Sequence, residues 1–591
     1  MYEYAHGSTI TYVSENSMQI ILDHQNELSL KDILQVGRHG AQVALAPATR
    51  TMLAERRQQI EQSISEQAFP AYGFNRGFGH NVDLAVRDEL LSDLQENLII
   101  SHAVGMGQPM DEEVVRIAML LRANSLARGF SGIRSELVEA IIALLNAGIT
   151  PVVPEYGSVG ASGDLAPLSH IALALLGQGS VMVNDLTLPA SEALKRAGLA
   201  PLRLEMKEGL ALNNGVQVMN ALGLIACDRL RTLLKTAAVS SALTAQVMLA
   251  PDTYFRPDFH AVRPHPGALR IADWIWKIMQ DSPIRMAHRD FKDDGQVQDP
   301  YNIRCAAQIL GAAHDLISQA EKTLIIEANS ATDNPILLPD QDGRYVDVVS
   351  GGHFHGMPVA VQIYNLMQAL AVIAGLSHQR SVRYVDPIRN KGLGRDLKWP
   401  GLSHDEKSIS SGMMMLEYSS AALLNAIWGE VMPSHLFTIA TNSGQEDHVS
   451  MGTGLAVRLL KTLPKAAHVL AIELAYTLQA IAVRKELNAI PTETELPAWV
   501  TEELSGLKTR MNGHGEGVVF DVGVIRELPL SEEQRRLSPV SEKLYVALLA
   551  AGMFPPVKLD RYMAGEIQKL AEFIAVGGVL DIVEGEMPLI W

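Results

Sequence analysis

The chain is 591 residues long, with 47% hydrophobic, 19% charged and only 5% aromatic residues. That is the make-up of a globular protein with a large core, and its bias to Ala, Leu, Ile and Met favours packed helices over sheets. The formal charge of −17 opposes binding to nucleic acid, and two cysteines support neither a disulfide framework nor a Cys-based zinc site.

The opening MYEYAHGSTITYV lacks the layout of a secretory signal, and no stretch reaches the roughly 20 uninterrupted apolar residues of a membrane span. A soluble, cytoplasmic protein is expected. Short strands are predicted at Ile10–Val13 and Met18–Leu22, and helical periodicity begins near Leu30. From Asp111 it strengthens, with Val115, Ala118, Met119 and Leu121 on one stripe and Arg116 and Arg122 off it. A helix over Ile133–Ala147 stops at Gly148, before the turn TPVVPEYG. Long periodic runs follow at Asn214–Tyr254, Cys305–Ala328, Pro358–His378, Ser410–Glu430 and Met451–Lys485. Five such runs predict a bundle of long, nearly parallel rods with function gathered in the loops. Beyond Ile490 the chain turns more charged before a last helix near Asp560–Ala575. The expected division is a mixed N-terminal domain over 1–205, a long-helix bundle over 206–490 and a helical cap over 491–591.

The most informative segment is GSVGASGDLAPLSH, Gly157–His170. By itself Ala161-Ser162-Gly163 is a glycine-rich turn before a helix, with Asp164 as its N-cap. The spacing and lysine of a phosphate-binding loop are absent. Further along the chain stand AYGFNRGFG (Ala71–Gly79), SHAVGMG (Ser101–Gly107), EGLALNNG (Glu208–Gly215), VQDPYNIRC (Val297–Cys305), GGHFHGMPVA (Gly351–Ala360) and GQEDHVSM (Gly444–Met451). Together and in this order, these strings resemble the aromatic amino acid ammonia-lyase and aminomutase family.

The resemblance implies a mainly α fold, a long-helix bundle of the fumarase/aspartase-like lyase type with a smaller mixed N-terminal part. It also implies that Ala161-Ser162-Gly163 cyclises by itself. The Gly163 nitrogen attacks the Ala161 carbonyl carbon, and two waters leave, giving 4-methylideneimidazol-5-one as an internal electrophile. The residue types suit this: Gly allows a close approach that a Cβ would block, and Ser supplies the departing hydroxyl. No nicotinamide, pyridoxal or metal is then required, and His353, His355 and His448 lack the spacing of zinc motifs.

Carried onto matching positions, the family's site residues are Tyr72 as β-proton base and Arg304 as carboxylate clamp, with Asn214, Gln298 and Tyr301 holding the electrophile or the carboxylate. Taken singly, each has an ordinary alternative. Tyr72 could be a half-buried tyrosine, Arg304 an ion-pair partner, Phe354 packing, and Glu446 a helix cap. His102, matched to a substrate-selecting helix start, together with Met414 and Glu446, resembles the histidine-type members. The resemblance therefore implies L-histidine as the substrate and trans-urocanate as the product. Arg76 and Glu417 stand where Thr and Gln are usual, which leaves open tyrosine, phenylalanine or a 2,3-aminomutase. An inactive helical scaffold is the alternative from outside enzymology. The family also builds its sites from several subunits, so a homotetramer is expected.

Overall fold

Helices dominate the computed structural model, which describes residues 19–67, 71–77, 83–289, 298–339, 346–387, 389–487, 489–491 and 527–591. Four helices are long: Gln217–Val247, Ala306–Ala328, Met357–Val385 and Gly452–Glu486. The last has 35 residues, roughly 50 Å at 1.5 Å per residue. Among the described residues no sheet has more than three strands. The expected mainly α fold is what forms.

The chain falls into two compact units. One comprises Met1–Ile225, Glu321–Ile363 and Pro433–Val457, and the other Ala226–Ala320, Tyr364–Met432 and Arg458–Trp591.

In the first unit, Gln19–Leu22 pairs in parallel with Gln42–Leu45. Ser29 and Asp32 form a capping box that starts the helix Leu30–His39, and Gly40 ends it in the left-handed conformation. The helix Glu112–Ala127 is buried nearly all round, which departs from the expected stripe. Arg116 and Arg122 lie inside because each has acceptors there. Arg116 donates to the Val36 and Leu145 carbonyls, and Arg122 to the Asn214 carbonyl. Thr150–Pro151, Ser180–Val183 and Leu186–Pro189 make an antiparallel sheet beside the helix Leu165–Leu175.

The second unit is a helical body with polar locks in its core. Arg380 forks onto Glu473, both fully buried, and Tyr384 shares its hydroxyl with Thr244 and Thr477. Gln479 holds Val557 by both its carbonyl and its amide nitrogen, anchoring the chain ahead of the helix Ala564–Ala575.

The predicted run Asn214–Tyr254 is shorter as a helix. Asn214 and Gly215 stand outside it, and it stops before Leu249, which has φ +58°. The run from Ser410 starts its helix only at Met414. The carboxylate of Asp560 holds Ser410, Ser411 and Gly412 in a turn instead. Two helices, Met357–Val385 and Gly452–Glu486, are long and apolar enough to cross a membrane by length and composition, though polar residues interrupt both. The apolar window of the second is 94% buried within the protein, as expected of a core rod. The strand predicted at Ile10–Val13 and residues 492–526 of the charged stretch lie outside the described residues.

Candidate active site

The tripeptide is held by glycine geometry first. Gly160 and Gly163 have φ +65° and +83°. A Cβ on Gly160 would lie 2.0 Å from Ser450 Oγ, and one on Gly163 would lie 2.1 Å from the Gly215 carbonyl oxygen. Neither position admits a side chain. Gly163 bridges Gly215 as a strand would, and the Asp164 amide donates to the Gly215 carbonyl at 2.6 Å. The loop is thereby locked onto the break between the helices Glu208–Asn213 and Gln217–Val247.

Side chains fix what remains. Asn214 Nδ2 donates to the Ser162 carbonyl at 2.8 Å, and Arg122 holds the Asn214 carbonyl from behind at 2.6 Å. The Ser162 hydroxyl donates to Glu446 Oε1 at 2.8 Å, and Thr441 occupies Glu446 Oε2 at 2.6 Å. The ordinary alternative for the site residue Glu446 is a helix cap. Glu446 instead closes a tight turn by a bridge to Thr441, and the next helix begins only at Gly452.

Asp164 stands at the N-cap position of its own helix but does not cap it. Its carboxylate accepts from Ser158 and Thr453, each at 2.7 Å, and from the Met219 amide at 2.8 Å. Asp164 therefore caps the first turn of the helix Gln217–Val247, whose preceding residue, Val216, has no side chain able to do so. Burial pushes the Asp164 carboxyl above its ordinary range, and the hydrogen bonds from Thr453, Met219 and Ser158 oppose that rise.

Tyr72 is half-buried between two anchors. Ala71 and Phe74 sit in a core cluster with Ile60 and Leu337, and Gly73, at φ +76°, is packed against Leu210. Phe78 and Gly79 of the same motif lie outside the described residues. His102 is the last residue of the helix Leu91–His102, not the start of one, because that helix is built by the apolar run before it. Its Nδ1 lies 3.1 Å from Ser101 Oγ, and the turn after it is held by the Gly105 amide donating to His170. Phe354 is half-buried in the turn before the helix Met357–Val385. Its neighbours fix that turn: His355 accepts from the Met357 amide and donates to the His448 carbonyl, and the Gly356 amide reaches Gly160.

The other four expected residues belong to the second unit. Tyr301 opens a short helix, Tyr301–Arg304, and is 66% exposed. The Arg304 guanidinium lies 4.6 Å from the Tyr301 ring centre, and its Nε donates to the Asp299 carbonyl at 2.8 Å. Among the described residues the two terminal nitrogens of Arg304 meet no carboxylate. Gln298 is exposed, and Met414 is half-buried at the start of the helix Met414–Glu430. Burial, then Asp396 and Asp386, push the nearby Glu417 carboxyl upward.

Direct contacts thus join Ser162 and Gly163 to Glu446, Asn214 and Gly215, while Tyr72, His102 and Phe354 are attached through neighbouring segments. Sequence reasoning missed Ser158, Thr453, Ser450 and Arg122. Only Arg122 left a signal, as a charge inside an apolar helix. The residues present fit a ring closed within Ala161-Ser162-Gly163. Gly163 has no room for a Cβ, and the buried Asn214 Oδ1 has no partner among the described residues.

The family described as aromatic amino acid lyase matches residues 28–502. A histidine ammonia-lyase of Deinococcus radiodurans is 42% identical over 462 residues, 78% of this chain and 85% of that protein. One from Gloeobacter violaceus is 41% identical, over 78% of this chain and 87% of its own. The crystal structure of histidine ammonia-lyase from Trypanosoma cruzi superposes with a TM-score of 0.78 at 29% identity, covering 96% of this chain and 95% of that one. Tyrosine aminomutase from Streptomyces globisporus gives 0.80 at 27%, covering 96% and 99%. Fold and relatives together define a carbon–nitrogen lyase. The chain belongs to the aromatic amino acid lyase family, whose lyases and aminomutases depend on methylidene-imidazolone.

Proposed function

We propose that the protein eliminates ammonia from L-histidine to give trans-urocanate. The observation that carries the reaction is the Ser162 loop, with its hydroxyl on Glu446, its carbonyl on Asn214 and Gly163 pressed against Gly215. The choice of histidine is supported by histidine ammonia-lyases 41–42% identical to the chain and by the polar His102 and Glu446, which suit a ring offering both a donor and an acceptor.

The methylidene-imidazolone formed from Ala161-Ser162-Gly163 would supply an electrophilic carbon that makes the amine a competent leaving group. Asn214 and the Gly215 backbone hold that segment in place. Tyr72 takes the β-proton, so that the C–H and C–N bonds break as the double bond forms and ammonia departs. Arg304 presents to the α-carboxylate a guanidinium that meets no carboxylate among the described residues, with Gln298 and Tyr301 beside it in sequence. His102 and Glu446 receive the imidazole, with Phe354 and Met414 as apolar walls. The enzyme is a soluble, cytoplasmic homotetramer.

The test is to incubate the pure protein with histidine, tyrosine and phenylalanine and to read acrylate absorbance, with intact mass measured in parallel. Histidine should be turned over fastest, by a protein two waters lighter than its sequence. Preference for another amino acid, or recovery of a β-amino acid, would overturn the reading.

A further inference from the structure

Three of the segments that carry candidate residues meet at one side chain that the proposed chemistry does not touch. Gln95 lies in the helix Leu91–His102, on the way to His102, and is fully buried. Its Oε1 accepts from the Gly209 amide at 3.0 Å and the Leu210 amide at 3.3 Å, in the first turn of the helix that delivers Asn214. Its Nε2 donates to the Gly73 carbonyl at 3.2 Å, on the residue after Tyr72. Two donors converge on one end of the amide and an acceptor faces the other, so its neighbours dictate its orientation.

The packing around this amide is as close as the hydrogen bonding. A Cβ on Gly209 would lie 2.5 Å from the Gln95 carbonyl oxygen, and one on Gly73 would lie 2.6 Å from Leu210. Backbone therefore meets backbone where the His102 helix crosses the Asn214 helix, and the Tyr72 loop rests on the latter. In such a junction a fully satisfied polar group fixes relative position where apolar contact alone would allow sliding.

We propose that Gln95 is a positioning residue for the elimination. Through Gly73 it sets where Tyr72 stands, and through Gly209 and Leu210 it holds the helix that aims Asn214 at the Ser162 carbonyl. The inference rests on the reading of Tyr72 as the β-proton base.

Gln95→Glu separates the two arms. Its side chain still accepts from Gly209 and Leu210, but when ionised it has no proton to donate to Gly73. Asn214 should stay in place while Tyr72 drifts. Misplacement on the scale of 1 Å costs a reacting group on the order of a hundredfold, so kcat should fall by roughly ten- to a hundredfold with KM little changed. With histidine deuterated at the β-carbon, the primary isotope effect should rise above that of the wild type as proton removal becomes limiting. Intact mass should remain two waters below the sequence. Gln95→Met, an uncharged near-isostere that removes both arms, should raise the isotope effect as well and leave part of the protein at its full sequence mass. Tyr72→Phe serves as the control. If it retains turnover, the base assignment is what fails. If it abolishes turnover while both Gln95 variants keep the wild-type kcat and isotope effect, Gln95 has no positioning role.

Discussion

Two loops of this enzyme treat their polar groups in opposite ways. Around Ser162, partners are supplied almost to completion: hydroxyl to Glu446, carbonyl to Asn214, and the Asp164 carboxylate to three donors. Around Arg304, Nε is tied down, and among the described residues the guanidinium stacks against an exposed tyrosine and meets no carboxylate. A segment that must react with itself gains from having a single conformation, because proximity and alignment do the work. A segment that must receive an anion gains from keeping donors uncommitted, since a guanidinium already paired would have to exchange one carboxylate for another.

The largest effect expected from breaking this contrast is at Ser162. Ser162→Ala removes the departing hydroxyl and should abolish turnover while leaving fold and assembly intact; near wild-type activity, or a mass still lower by two waters, would refute the electrophile. Arg304→Ala should weaken histidine and urocanate together by about 2–5 kcal/mol, since both carry the carboxylate. Unchanged product inhibition would show that the open fork has another use. At His102, replacement by Phe leaves one imidazole nitrogen unpaired, at about 1–3 kcal/mol. The ratio of kcat/KM for histidine over phenylalanine should fall by roughly one to two powers of ten, and an unmoved ratio would take His102 out of substrate selection.

The smallest effect concerns the charge behind the rigid loop. Burial, and secondarily Asp164, push the Glu327 carboxyl up to about 7. A carboxyl whose pKa is higher folded than unfolded binds an extra proton in the native state, so its contribution to stability is present at acid pH and is lost as pH rises through about 7. Glu327→Gln should therefore raise Tm at pH 8 by about 1–2 °C, with the gain shrinking toward pH 5. An equal gain at both pH values would mean that ionisation is not its cause.

The sequence by itself determined the helical class, the positions of the long rods and the tripeptide with its surrounding motifs. These are local matters: apolar periodicity, glycines where no Cβ fits, and residue types demanded by one chemistry. Tertiary structure decided the rest. Asp164 looked like a cap for its own helix, yet it caps one that begins some fifty residues later, because an N-terminus will take whichever carboxylate the fold brings to it. Arg116 and Arg122 looked solvent-facing by helical phase but lie buried, since carbonyls from other segments wait for them. Glu446, a site residue by resemblance alone with a helix cap as its ordinary alternative, meets Ser162 across 284 positions. Gln95 gave no sign at all, because an amide's role depends on which donors and acceptors surround it, and here they come from segments that only folding brings together.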